Sequence, residues 1–246
     1  MRLAPDALPR DSPPMRAILL FALIAAPAFG AERTVGIGSF DRLRVDGPIE
    51  VRVTTGASPA ARITGGRDAI EAIDVRLDGR TLVIRPAATS AWGERPHGSI
   101  DREPLTVSLG TPSLAAISSV AGARITATAA KGDRIDLSVT GAGAVAVDQA
   151  TGTDLNATIV GAGTITVAGR TTRARLVANG PATLDAAKLE AGDLIVLLDG
   201  TGSIAGHARY TAQISNTGVG SVTVTGNGKC TIRRGNGGPV TCGTGN

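Results

Sequence analysis

The sequence predicts an all-β fold: a parallel β-helix (β-solenoid) of about six turns of 18–20 residues, preceded by an irregular β-rich stretch. The first observation behind this is a repeat. GAGAVAV begins at Gly141, GAGTITV at Gly161, GPATLDA at Gly180, GTGSIAG at Gly200 and GVGSVTV at Gly218, at steps of 20, 19, 20 and 18 residues. A fainter copy, AGARITA, starts at Ala121. A fixed period of this size marks a solenoid, in which each turn buries its apolar face only by stacking on its neighbours.

The second observation is period-two alternation around each glycine. Ile135, Leu137 and Val139 precede Gly141 at every other position, as Leu155, Ala157 and Ile159 precede Gly161. Leu194, Val196 and Leu198 do the same before Gly200. Beyond the corner a second alternation follows, as in Val145 and Val147 or Ile165 and Val167. One buried face per strand gives this pattern. Each turn therefore reads as strand, glycine corner, strand and short loop. The third observation is the slim set of core residues, Ala, Val, Ile, Leu and Thr, which suits a narrow coil. In the Gly200 turn the pattern weakens, because Gly206 offers no side chain to bury.

Four segments follow in chain order. Residues 1–30 read as an export signal, with Met15 as an alternative start. Arg16 supplies the positive charge, Ala17 to Ala26 the apolar run, and Ala28-Phe29-Gly30 the small residues for cleavage before Ala31. The run is shorter than the ~20 apolar residues a transmembrane helix needs. Residues 31–112 form the β-rich N-terminal region, which caps the solenoid or begins it. There Phe40 to Val45 and Ile49 to Val53 alternate, Asp68 to Ile73 suits one helical turn, and Asp78-Gly79 marks a hairpin. Pro86 to Pro104 reads as a long exposed loop holding Trp92 and His97. Residues 113–228 are the solenoid repeats.

Residues 229–246 read as a terminal cap closed by a Cys230–Cys242 disulfide, with a turn-rich hairpin between the cysteines. Such a cap would shield the last strand edges and oppose end-to-end stacking of molecules. Only Gly243 to Asn246 follow it, too little for a translocator barrel within this chain.

Composition narrows the function. The net charge is +4 with both signs interspersed, which is no nucleic-acid footprint. After the signal only Phe40, Trp92 and Tyr210 are aromatic, so stacking platforms for single strands or sugars are scarce. His97 and His207 lie far apart, and no Gly-x-Ser-x-Gly, His-Glu-x-x-His or calcium-loop pattern occurs. No cofactor or metal is expected. A polysaccharide-active β-helix enzyme is the alternative reading, and it would need carboxylates clustered on one outer sheet. Asp185 and Asp199 lie in adjacent turns but at different positions relative to their glycines, so they should not face each other.

Two surface features stand out as candidate contacts. Arg170, Arg173 and Arg175 crowd one turn and suit an anionic glycan or lipid head group. Val177, Ile195 and Leu197 replace polar residues at outward positions, with Val177 expected beside Leu197. Either the N-terminal region of the same chain or another molecule would cover this strip, so an oligomer is compatible with it.

An exported start leads into Phe40-Asp41-Arg42-Leu43-Arg44-Val45-Asp46-Gly47-Pro48-Ile49-Glu50-Val51. Leu105 to Leu114 (LTVSLGTPSL) and the Gly-x-Gly turns follow. In this order they resemble the head GIN domain family of putative auto-transporter adhesins (DUF2807), over roughly Arg33 to Val224. The resemblance implies a β-solenoid envelope protein with no catalytic residues to carry over. The expectation is a non-enzymatic, adhesin-like binding protein, exported to the periplasm, the cell surface or the medium. Its partner is an anionic glycan or an envelope protein rather than nucleic acid.

Overall fold

In the computed structural model, residues 31–87, 105–233 and 237–243 are described. The expected signal, the 88–104 part of the expected loop with Trp92 and His97, and the residues around 235 lie outside them. The chain runs β1 (Ala31–Val35), β2 (Arg42–Asp46), β3 (Glu50–Thr55), β4 (Ala60–Gly65), helix α1 (Arg67–Glu71), β5 (Ile73–Asp78) and β6 (Thr81–Pro86). Then come β7 (Thr106–Thr111), β8 (Ala116–Val120) and β9 (Arg124–Ala127). Five long strands form the body: β10 (Ala130–Thr140), β11 (Ala144–Val160), β12 (Thr164–Asn179), β13 (Thr183–Asp199) and β14 (Ser203–Asn216). Short strands β15 (Ser221–Thr225), β16 (Lys229–Arg233) and β17 (Val240–Cys242) end it.

The long strands each bend around the coil, so the expected short loop between turns is itself paired. Ala130–Gly132, Ala150–Gly152, Gly169–Thr171 and Leu189–Ala191 stack in register as a third, narrow side. Buried Ala130, Ala150, Leu189, Ala191 and Ala208 face inward there. Residues this small leave room for a tight bend, and pairing satisfies backbone groups that a loop would leave to water.

All stacking in the body is parallel. Ile135, Leu155, Ala174, Leu194 and Ala212 form one inward column, and each is almost fully buried. Burying each larger aliphatic side chain stabilises the stack by about 1.5–3 kcal/mol relative to leaving it in water. At the corner, Gly161 has φ +117, and a Cβ there would sit 2.9 Å from the Gly141 carbonyl oxygen. Close approach and backbone sign both call for glycine. Where Gly206 leaves a space, Leu194 fills it: a Cβ on Gly206 would stand 2.8 Å from Leu194 Cδ2.

The N-terminal region both enters the stack and closes one end of it. The β2–Gly47–β3 unit is a coil in its own right, with β8 and β9 stacked on one side of it. On its other side lie β6 and β7, both later in the chain. The strand order in the first sheet is thus β5–β6–β2–β8–β10, followed by β11 to β14 and then β16. Helix α1 and the antiparallel strands β1, β4 and β5 finish that end, with Ile70 buried in the core.

At the other end Cys230 and Cys242 are disulfide-bonded. The segment between them is no hairpin. Strand β16 pairs in parallel with β14 in the first sheet, and β17 with β15 in the second. Cys230 continues the inward column above Ala212, and Cys242 continues the one above Val224. The bond therefore crosses the inside of one more coil. Among the described residues it leaves the outer edges of β16 and β17 unpaired, so the expected shielding of those edges is absent.

Candidate functional site

The outer surface of the first sheet carries the strip. Val177 lies opposite Leu197, and Arg175 opposite Ile195. The next strands continue the rows with Gln213 and Ser215, then Thr231 and Arg233. Val177, Ile195 and Leu197 are half-buried rather than fully exposed, because neighbouring side chains crowd them. Arg175, Ile195, Leu197, Gln213, Ser215 and Arg233 line a shallow groove of about 310 Å³. The described N-terminal strands stack at the far end of the coil, so they do not cover it.

The three arginines do not act as one cluster. Arg170 sits on the third side, where it meets Glu190 at 2.7 Å. Arg173 donates two hydrogen bonds to the Asp154 carboxylate, at 2.6 and 2.9 Å. These bonds, helped by charge, hold the Asp154 carboxyl below its ordinary range, and the same partner raises the Arg173 guanidinium. Arg175 alone opens onto the groove, without an ion-pair partner among the described residues.

Sequence reasoning missed the column to which Arg173 belongs. Seven residues before successive corner glycines stand Arg134, Asp154, Arg173, Asp193 and Thr211, and Lys229 continues the column in register with Thr211. Thr211 donates to Asp193 at 2.6 Å. Counting back from each corner glycine would have exposed this alternation. That count does not reach β16, where no glycine stands at position 236; pairing with β14 makes Cys230 the sixth member of the Ile135 column and adds Arg233 to the groove.

Asp185 projects from the second sheet, while Asp199 ends a strand of the first. The Asp185 carboxylate accepts a bond from the Ala187 N–H at 3.1 Å, a local contact. Among the described residues no three His, Cys, Asp or Glu side chains gather at a metal-binding distance. His207 is half-buried and pairs with the Thr225 hydroxyl at 3.1 Å. No described helix is long and apolar enough to cross a membrane.

Fold and surface together define a β-solenoid that presents side chains in straight columns, with an open groove on the outer face of its first sheet. The chain belongs to the family described as putative auto-transporter adhesin, head GIN domain, which it matches over residues 39–228. It is similar in structure to a putative adhesin from Bacteroides fragilis, with a TM-score of 0.75 at 18% identity, covering 87% of this chain and 96% of that one. A putative adhesin from Parabacteroides merdae gives a TM-score of 0.63 at 16% identity, covering 88% and 97%. A protein from Parabacteroides distasonis described as a putative lipid binding protein gives 0.62 at 16% identity, over 88% and 97%. No curated protein matches the chain in sequence. The family description is adhesin-like, which suggests a non-enzyme of the envelope or exterior, and the solved structures share the fold.

Proposed function

We propose that the chain is a non-enzymatic, exported binding protein of the cell envelope that takes an anionic glycan on the outer face of its first sheet. The carrying observation is the groove itself: Ile195 and Leu197 form its floor, and Arg175 stands at its rim without a carboxylate of its own. An uncommitted guanidinium beside apolar surface suits a partner that offers a carboxylate or sulfate next to a sugar ring's apolar face. Arg170 and Arg173 contribute little to such a site, because each is already held by an acid. Within each column the residues stand ~4.8 Å apart, a spacing set by strand pairing, so an extended ligand would be read along the coil axis.

A glycan array tests this with the purified chain from Ala31, beside Arg175→Ala, Leu197→Asp and an Arg170→Ala/Arg173→Ala control. Selective binding of acidic glycans, lost in the first two and kept in the control, is expected. No binding by the parent chain, or loss in the control alone, overturns the glycan reading.

A further inference from the structure

The two ends of the first sheet are complementary to each other. At one end stands β16, bonded only to β14, and at the other β5, bonded only to β6. Each presents a row of backbone groups with no strand beside it among the described residues, and such an edge is a template for another strand. The large exposed apolar residues of the chain include Leu77 on β5, 40% exposed, and Ile232 on β16, 46% exposed. Both lie on the inner side of the sheet: Leu77 faces Leu82 across its pair, and Ile232 faces Ile214. Each is an inward column left without its next member.

We propose that molecules of this chain join head to tail, with β16 of one pairing antiparallel with β5 of the next. Strand β5 runs opposite to β6, and β6 runs with β2 and the rest of the sheet. A β16 laid antiparallel on β5 therefore points the same way as every body strand. The second molecule continues the coil in the same direction with its core on the same side. The contact is heterologous, the kind that propagates.

Charge selects the register. With Thr231 opposite Arg76, Lys229 meets Asp78 on the outside and Arg233 meets Asp74, which Arg76 and Arg85 already share within the chain, while Cys230 meets Leu77 and Ile232 meets Val75 within. A shift of two residues either way sets Arg76 against Lys229 or Arg233. A shift of one turns the apolar residues outward. Like-ended joints fail the same test. Two β16 strands centred on Thr231 set Lys229 against Arg233, and two β5 strands centred on Arg76 set Asp74 against Asp78. Like charges directly opposite are destabilising and unlike ones favourable. In the second sheet β1 projects one strand further than β5 does in the first. A step of ~4.8 Å across sheets ~10 Å apart inclines each joint by about 25°, so the assembly curves.

The test is sedimentation velocity over a wide dilution series of the purified protein. The parent mass should rise above that of one chain with concentration. Lys229→Glu/Arg233→Glu makes both ends acidic and Asp74→Lys/Asp78→Lys makes both basic, so each alone should stay a single chain. An equimolar mixture of the two, and the protein carrying all four substitutions, should assemble again. Leu197→Asp should assemble like the parent, which separates this proposal from the glycan groove. If Asp74→Lys/Asp78→Lys loses its strand signature by circular dichroism, Ile232→Glu takes its place and should also give single chains. A parent that stays a single chain throughout overturns the proposal. So does assembly that survives Lys229→Glu/Arg233→Glu.

Discussion

Arg173 lies in register with Asp154 on one neighbouring strand and Asp193 on the other, and it grips both oxygens of Asp154. Between parallel strands directly opposed residues sit close enough for this all along the coil. The column thereby favours one stacking order, since a turn slipped by one strand would bring like charges together. Asp154→Arg should lower the melting temperature, and Asp154→Arg with Arg173→Asp should recover part of the loss, as read by calorimetry.

The same pair gives a pH dependence. The folded-state carboxyl of Asp154 is held below its unfolded value, so its contribution is complete above the unfolded pKa of about 3.9. That contribution is lost as pH falls from there through the lower folded value. Asp154→Asn should therefore be less stable than the parent at neutral pH and equal to it in strong acid. Denaturant titrations at pH 7 and at about pH 2 measure the convergence. The effect should be small, because the pair is exposed and screened by salt.

Ala121 is the described residue other than glycine with positive φ, at 55°. It stands where the later turns have Gly141 and Gly161. Left-handed backbone costs a non-glycine residue about 1–2 kcal/mol, which the extra flexibility of glycine in the unfolded chain partly offsets. Ala121→Gly should then stabilise the protein by up to about 1 kcal/mol. Gly161→Val should do the reverse, and more strongly, since its side chain would press on the Gly141 carbonyl. Chemical denaturation of both variants checks the signs.

Gly206 and Leu194 share one space, so their substitutions should couple. Gly206→Val alone overfills the coil and should cost about 1–3 kcal/mol. Leu194→Ala alone leaves a cavity and should cost about 2–5 kcal/mol. Together they should cost less than the sum, which a double-mutant cycle reads directly.

The body of the coil was legible because its period is nearly constant and its inward columns are mostly apolar. Val177 beside Leu197 followed from counting alone, and the structure places them so. The position of β2 and β3 was not legible. Strand β2 lies between β8 and β6 and β3 between β9 and β7, and no local pattern announces that a later strand will stack beneath an earlier one. The commitment of Arg170 and Arg173 to acids shows only when the turns are aligned on their corner glycines, because Glu190 and Asp154 are distant in sequence. Ser119 and Asn216 are polar, yet both are buried in an inward column. Each donates across its corner, Ser119 to the Ala123 carbonyl at 2.7 Å and Asn216 to that of Gly220 at 2.8 Å.

The bond between Cys230 and Cys242 occupies the middle of the last coil, where earlier turns hold Ala212 and Val224. On a chain-entropy estimate, closing this loop contributes about 3 kcal/mol. Cys230→Ser should then loosen residues 229–242 to hydrogen exchange while leaving the exchange of β11 and β12 unchanged. Thiols stay reduced in the cytosol and oxidise outside it. If the chain is exported, as proposed above, the final turn is completed by the compartment it arrives in. Before export, the strand proposed to meet a neighbour would be held by its pairing with β14 but not by the bond, and a molecule still inside the producing cell would lack the finished surface on which another could build.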